Sequence, residues 1–428
     1  MALDIDSLPR RIEAEPLRPS LLVWSLVFVA CVVAGSTIVL VTWPKHAPAA
    51  TPVFWVAVVI VPVTLAAITV LLPFRAHAGK LRAIRSWNSR CDHQIARAHE
   101  WESRPVALLG GVCRFSSEKG SQVAKVAAGD IKLAPQQTPD RAATVAARWF
   151  RAPEFVVGTD PREYDLERQR VILPGVLFVM LDELREHINA VPADLPLRVA
   201  LIVDAPSFDD GIRDHFTTVW KNLALRAFTF DDAAAVPGLT SLDSWLDTPA
   251  GTERDHATLL VAVQLHDLVV QSPPPGSAEA AIALLMVPQD IAERYRLTAL
   301  AQVHRPRQGT VAALSVTLSL ALKWGGVRPA DVHHVWYAGF DKVGQEALLA
   351  AIRAEKIALV EGQQVSGELN VDRLVGDAGI AADWFALACA LDFAQSFGAP
   401  QMVARHSGTT SALMIARPVL RTPVQTSL

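Results

Sequence analysis

The chain has 428 residues, 51% of them hydrophobic, and carries 40 basic against 43 acidic side chains for a formal charge of −3. That mixed-sign balance excludes the basic stripe of a nucleic-acid binder. Four scattered cysteines, Cys31, Cys91, Cys113 and Cys389, exclude a disulfide framework and a Cys-x-x-Cys metal site, so the sequence asks for neither metal nor cofactor.

Two apolar runs come first, Leu21 to Thr42 and Val53 to Phe74, neither with a charged side chain. About 22 helical residues at 1.5 Å each span roughly 33 Å, slightly more than a hydrocarbon layer of about 30 Å. The first core is too long for a cleavable leader and a second run follows closely, so residues 21–74 are expected to form a transmembrane helical hairpin. Trp24, Trp43 and Trp55 stand near run ends, where an indole sits in the headgroup layer. Pro62 is expected to kink the second helix, and the small residues Ala34, Gly35 and Ser36 to let the helices approach closely.

Arg10, Arg11 and Arg18 precede the first run, Lys45 alone lies between the runs, and Arg75, Lys80, Arg82, Arg85 and Arg90 follow the second. Because cytoplasmic flanks are enriched in Lys and Arg, the tail 1–20 and everything after residue 74 are expected in the cytoplasm, with a short outer loop from Pro44 to Thr51. Arg75, Lys80 and Arg82 suit anionic lipid headgroups and equally an ordinary solvated flank. From Gly79 to Glu100 the spacing of Leu81, Ile84, Trp87, Cys91 and Ile95 predicts a helix, within a basic connector 75–103 that leaves the membrane.

Residues 104–428 alternate short apolar strands with helical segments, which predicts an α/β architecture. The strands expected are Val106 to Leu109, Arg198 to Val203, Thr258 to Val263, Ile282 to Val287, Thr298 to Val303, His334 to Tyr337 and Ser411 to Ile415. The helices expected are Thr144 to Phe150, Val176 to Asn189, Thr310 to Trp324, Lys342 to Ala354 and Ala378 to Phe397. Gly110-Gly111 suggests a tight strand-to-loop turn. Gln271 to Gly276, with three consecutive prolines, predicts a loop.

Several of these segments, in this order, resemble landmarks of the thiolase-like fold and of its β-ketoacyl synthase branch. They are RPVALLGGVCRF from Arg104, LRVALIVD from Leu197, GSAEAAIALLMV from Gly276, GGVRPADVHHVWY ending at Tyr337, VDRLVGDAGIAADWFALACAL from Val371 and HSGTTSALMI from His406. The resemblance implies a layered αβαβα core of two similar halves. It also implies a cysteine nucleophile at a helix start, assisted by two histidines and a lysine. No cysteine lies between Phe216 and Ala257, where the nucleophile belongs; Ala338 stands at the first histidine position, Asp377 at the second and Asp372 at the lysine. A carboxylate about 4 Å from a developing oxyanion opposes it by roughly 4 kcal/mol at an effective dielectric of 20. The resemblance thus implies a pseudoenzyme, with Cys113 and Cys389 as buried apolar side chains.

Neighbouring histidines do not substitute. His333 and His334 precede the strand, and His406 is read as a loop residue open to a ligand or partner. The acidic pairs Asp209-Asp210 and Asp231-Asp232 are read as helix caps rather than cation ligands. In overall layout, a membrane segment followed by a soluble domain of this size, the chain also resembles the lipase adaptors of bacterial type VI secretion. That likeness implies a protein of the bacterial inner membrane that binds a phospholipase effector and helps load it on the secretion spike. A homodimer paired through a sheet edge is left open. So are a membrane-bound acyltransferase or condensing enzyme using Ser407, Thr409 or His406, and a sensor that binds an acyl thioester.

Overall fold

A computed structural model describes residues 10–419 except 14–15, 45–47, 49–50, 117, 119–121, 153–159, 209–210, 232–237, 249–250, 252–253 and 361–365. Lys45, Asp209, Asp210 and Asp232 therefore lie outside the described residues. One compact unit ends at Glu100 and the other begins at Trp101.

The first unit is built on α1 (Leu21–Thr42), a short α2 (Pro52–Trp55) and α3 (Val61–Glu102), joined to α2 by a π-helical turn at Val56–Ile60. α1 and the helical stretch from Pro52 are both long and apolar enough to cross a membrane. α1 buries no residue. The close approach expected at the small residues is present: a Cβ on Gly35 would lie 2.8 Å from Pro62 Cβ. Trp43, Phe54 and Trp55 cluster where the two apolar stretches meet the loop, with ring centroids 5.0 and 5.7 Å apart. Arg75, Lys80 and Arg82 are exposed on α3. The connector is no separate element, because α3 continues unbroken from the second apolar run to Glu102. Arg11 lies against it, its guanidinium donating to Asp92 at 2.7 and 2.6 Å.

The second unit has two halves built on the same order of five main strands. The first half runs β1 (Val106–Arg114), α4 (Val123–Ala127), β2 (Pro135–Gln137), β3 (Thr144–Ala146), α5 (Pro161–Glu183), α6 (Arg185–Ala190), β4 (Leu197–Asp204), α7 (Ile212–Asn222), β5 (Thr229–Phe230), α8 (Ser241–Asp247), β6 (Ala257–Gln264) and β7 (Ala280–Pro288). After α9 (Gln289–Arg294) the second half runs β8 (Ala301–Val303), β9 (Arg307–Gly309), α10 (Leu314–Gly325), β10 (His334–Ala338), α11 (Lys342–Ala354), β11 (Glu368–Asn370), α12 (Val371–Leu374), α13 (Ala382–Phe397), β12 (Gln401–Ser407) and β13 (Thr410–Pro418).

The large sheet has the order β11-β10-β12-β13-β8-β1-β7-β6-β4-β5, with β9 on β13. Counting five main strands in each half, both halves read third, second, fourth, fifth, first. In both, the fifth strand runs opposite to the other four. The halves meet at the antiparallel pair β1 and β8.

Period-two alternation then makes the layers. Leu260 and Ala262 of β6 face an inner cluster shared with α8 and α13, while Leu259, Val261 and Val263 face α5 and α7 outside. In the second half Trp336 and Ala338 of β10 face the inner cluster, and Val335 and Tyr337 face α10 and α11. The result is helices, sheet, central helices, sheet, helices: the mixed α/β, two-half arrangement expected of the thiolase-like fold.

Four local expectations are corrected. Thr144 to Phe150 is not a helix; Thr144–Ala146 pairs with Pro135–Gln137 and Arg148 bridges to Ala278, so tertiary pairing overrides alanine-rich propensity. Gly110 and Gly111 lie within β1 at a bulge, not in a turn, and a Cβ on Gly110 would meet Leu184 Cδ2 at 2.7 Å. The helix expected from Val176 begins at Pro161, capped by Asp160, whose side chain accepts from Arg162 N. Gln401–Ser407 is a strand, which removes His406 from the loop where the sequence placed it.

Candidate functional site

The carboxyl ends of strands from both halves converge on the amino end of α13. Asp204 ends β4 and Gln264 ends β6, each the polar terminus of an apolar run. Gln264 Nε2 donates to Asp204 Oδ2 at 2.9 Å and to Leu265 O at 3.0 Å, and its Oε1 accepts from Ile380 N at 2.9 Å. Gly379 packs against this amide with φ +54°, where a Cβ would lie 2.1 Å from Gln264 Oε1. Arg405 on β12 donates from Nε to Asp383 Oδ1 at 3.0 Å, and Gly238, ahead of α8, approaches the same carboxylate.

The three positions that the sequence resemblance sets against ketosynthase catalytic residues are Ala338, Asp372 and Asp377. Ala338 ends β10 with its methyl in the inner core. Asp372 Oδ2 accepts from Gly339 N at 2.6 Å, directly beyond Ala338. Burial pushes the Asp372 carboxyl up and Asp377 adds repulsion, while the Gly339 N–H and Arg405 draw it back. Asp377 is tied through its backbone to Gly276 and Ala278 of the first half and caps Gly379 N from Oδ1 at 3.1 Å. Asp372 lines a cavity, a space of about 510 Å³ between α11 and the ends of β10 and β11 that Lys342, Glu346 and Arg373 also border.

Between Phe216 and Ala257 the element nearest the site is α8. Its hydroxyls are used locally: Ser241 Oγ donates to Gly238 O at 2.7 Å and Ser244 Oγ to Ser241 O at 2.9 Å. Cys113 on β1 and Cys389 on α13 are both buried in the inner cluster and hydrogen-bonded to each other, and burial pushes the Cys389 thiol up. His334 stands at the opposite end of β10 from Ala338, ringed by Phe393 and Phe397 at 4.8 and 4.6 Å, and burial pushes it down to about 4. His333 places Nδ1 3.4 Å from Ala358 O. His406 is half-buried near the hairpin turn, Nδ1 3.0 Å from Ser411 Oγ and its ring 5.3 Å from Phe340; Ser407 and Thr409 are exposed beyond it.

Among the described residues no three His, Cys, Asp or Glu side chains gather as a metal site. The groups sequence reasoning missed are Asp204, Gln264, Asp383 and Arg405. Their one signal is a polar residue closing an apolar strand or opening an apolar helix, which gains meaning only once the ends are brought together.

No family model matches the chain, and no curated protein does. Among solved structures, the ishigamide ketosynthase/chain length factor aligns with TM-score 0.48 at 17% identity, covering 74% of this chain and 100% of that one. An oxazolomycin ketosynthase domain from Streptomyces albus JA3453 aligns with TM-score 0.45 at 15% identity, covering 74% and 96%. The ketosynthase from module 1 of the bacillaene synthase of Bacillus amyloliquefaciens FZB42 aligns with TM-score 0.47 at 13% identity, covering 75% and 77%.

Proposed function

We propose that this protein is a membrane-anchored scaffold that has kept a thiolase-like core without its acyl-transfer chemistry. It acts as an adaptor, holding a secreted lipase effector at the cytoplasmic face of a bacterial inner membrane and helping to load it on a type VI secretion spike. The observation that carries this reading is the set Asp204, Gln264, Asp372, Asp383 and Arg405, in which Gln264 bonds Asp204, Arg405 bonds Asp383, and Gln264 and Asp372 accept from backbone. Hydrogen bonding of this kind rigidifies the meeting point of the halves, and none of these five side chains is a hydroxyl or thiol nucleophile. The apolar hairpin supplies the anchor, and the basic flanks around Arg11 and Arg75 set the cytoplasmic side. Confinement to a bilayer raises the effective concentration of a bound effector near a membrane-embedded machine.

The test is purification of the full chain in detergent from a bacterium carrying the secretion machine, followed by identification of retained proteins and an acyl-thioester turnover assay. Retention of a lipase without turnover is the expected result. Turnover abolished by Ser407→Ala, Thr409→Ala or His406→Ala overturns it in favour of a membrane-bound condensing enzyme. Co-purified acyl-CoA with neither turnover nor a lipase overturns it in favour of a thioester sensor.

A further inference from the structure

One cavity plays no part in that reading. Its volume is about 410 Å³, within the range of small-molecule sites, and Phe115, Glu118, Lys132, Arg148, Trp149 and Arg151 line it. Among the described residues, Arg148 and Lys132 stand there with the Glu118 carboxylate, which already meets Lys125 at 3.4 Å.

Arg148 is the centre of the imbalance. Its Nε donates to Val375 O at 3.2 Å and its Nη2 to Lys132 O at 3.1 Å, two carbonyls that hold the guanidinium still without neutralising it. Its backbone is pinned as well, N donating to Ser277 O at 3.0 Å and the carbonyl accepting from Glu279 N at 2.8 Å. Arg148 forms no ion pair among the described residues, and burial is the whole cause of the downward shift of its pKa. The fully buried Arg168, Arg254 and Arg305 each face a carboxylate, at 2.5, 2.6 and 2.7 Å, whereas half-buried Arg226, like Arg148, is held by backbone carbonyls. A half-buried cation without a counter-charge is costly unless something anionic joins it. With no hydrogen bond at Nη1 among the described residues, the guanidinium presents planar donors to an oxyanion, and Lys132 on the same cavity adds a second charge. The rings of Phe115 and Trp149 add a flat apolar wall.

We infer that this cavity binds a small phosphate ester, its phosphate held between Arg148 and Lys132 and its organic part against Phe115 and Trp149. A dianion matches two cations, whereas a neutral ligand leaves both unpaired. None of these residues belongs to the matched network at the strand ends, so the inference stands apart from the adaptor reading.

The test is isothermal titration of the full chain in an uncharged detergent and phosphate-free buffer, with phenyl phosphate as the probe and inorganic phosphate and benzyl alcohol as comparators. Saturable binding of phenyl phosphate is expected, weakened tenfold or more by Arg148→Gln and several-fold by Lys132→Gln, and unchanged by Lys221→Gln on α7. Lys132 is exposed, so its replacement tests the site even where Arg148→Gln fails to fold. Absence of saturation, indifference to Lys132→Gln, or benzyl alcohol binding as tightly as phenyl phosphate overturns the inference. Inorganic phosphate binding as tightly as phenyl phosphate overturns the part assigned to the rings.

Discussion

Both ring nitrogens of His334 are buried without a hydrogen bond among the described residues, between two phenylalanine rings, an environment that disfavours the imidazolium. Burial pushes His334 down to about 4, and His304 likewise to about 4. The unfolded chain takes up a proton near pH 6.5, so the contribution of each is fully present above that pH. It is lost at about 1.4 kcal/mol per pH unit as pH falls toward 4. Asp243 opposes them, since burial raises its carboxyl to about 6 and its contribution is greatest at low pH. Comparison with a variant separates these effects. His334→Leu, which removes two unpaired buried nitrogens, is expected to melt no lower than the native chain at pH 7 and to lose clearly less stability between pH 6 and 5. Thermal melts of the full chain in detergent check this, and an unchanged pH slope would contradict it.

At the scale of elements, the hairpin shows how a proline is accommodated in an apolar helix. Pro62 has no N–H to offer Val58 O, four residues earlier, and Ser36 Oγ on α1 donates to that carbonyl at 2.8 Å instead. Gly35, beside it, permits the approach. Ser36→Ala is therefore expected to weaken the hairpin by about 1 kcal/mol, the scale of an interhelical hydrogen bond in lipid. Gly35→Leu is expected to weaken it more, by overpacking against Pro62. The midpoint of SDS-induced unfolding in mixed micelles orders the two. α13 makes the converse point. It lies in a stretch apolar enough to be read as a span, yet its faces are buried between the two half-sheets. Its 16 residues reach only about 24 Å, short of a hydrocarbon layer.

Across the whole molecule, buried charge ties distant segments together. Glu279, fully buried, pairs with Arg168 of α5 at 2.5 Å and accepts from Phe150 N and His266 N, each at 2.8 Å. One carboxylate thus joins the segment before α5, α5 itself and the β6–β7 connection. Arg168→Met is expected to cost about 3–5 kcal/mol, because it leaves an uncompensated charge in the core. A melting midpoint that barely moves would show that the carboxyl takes up a proton instead.

Much of this was legible in the residues. The apolar runs, the buried strands from Arg198 and Thr258, and the helix Lys342–Ala354 follow from length and periodicity, which are local properties. The absence of cysteine from Phe216 to Ala257, and Ala338, Asp372 and Asp377 at the aligned positions, are plain in one dimension. Only tertiary structure decided that Thr144–Ala146 is a strand, that His406 belongs to one, and that Asp204 pairs with Gln264 and Asp383 with Arg405. The physical reason is that a polar residue at a strand end has no partner within its own segment. Its hydrogen bonds, and the charge that Arg148 leaves unmatched, exist only where separate chain ends meet.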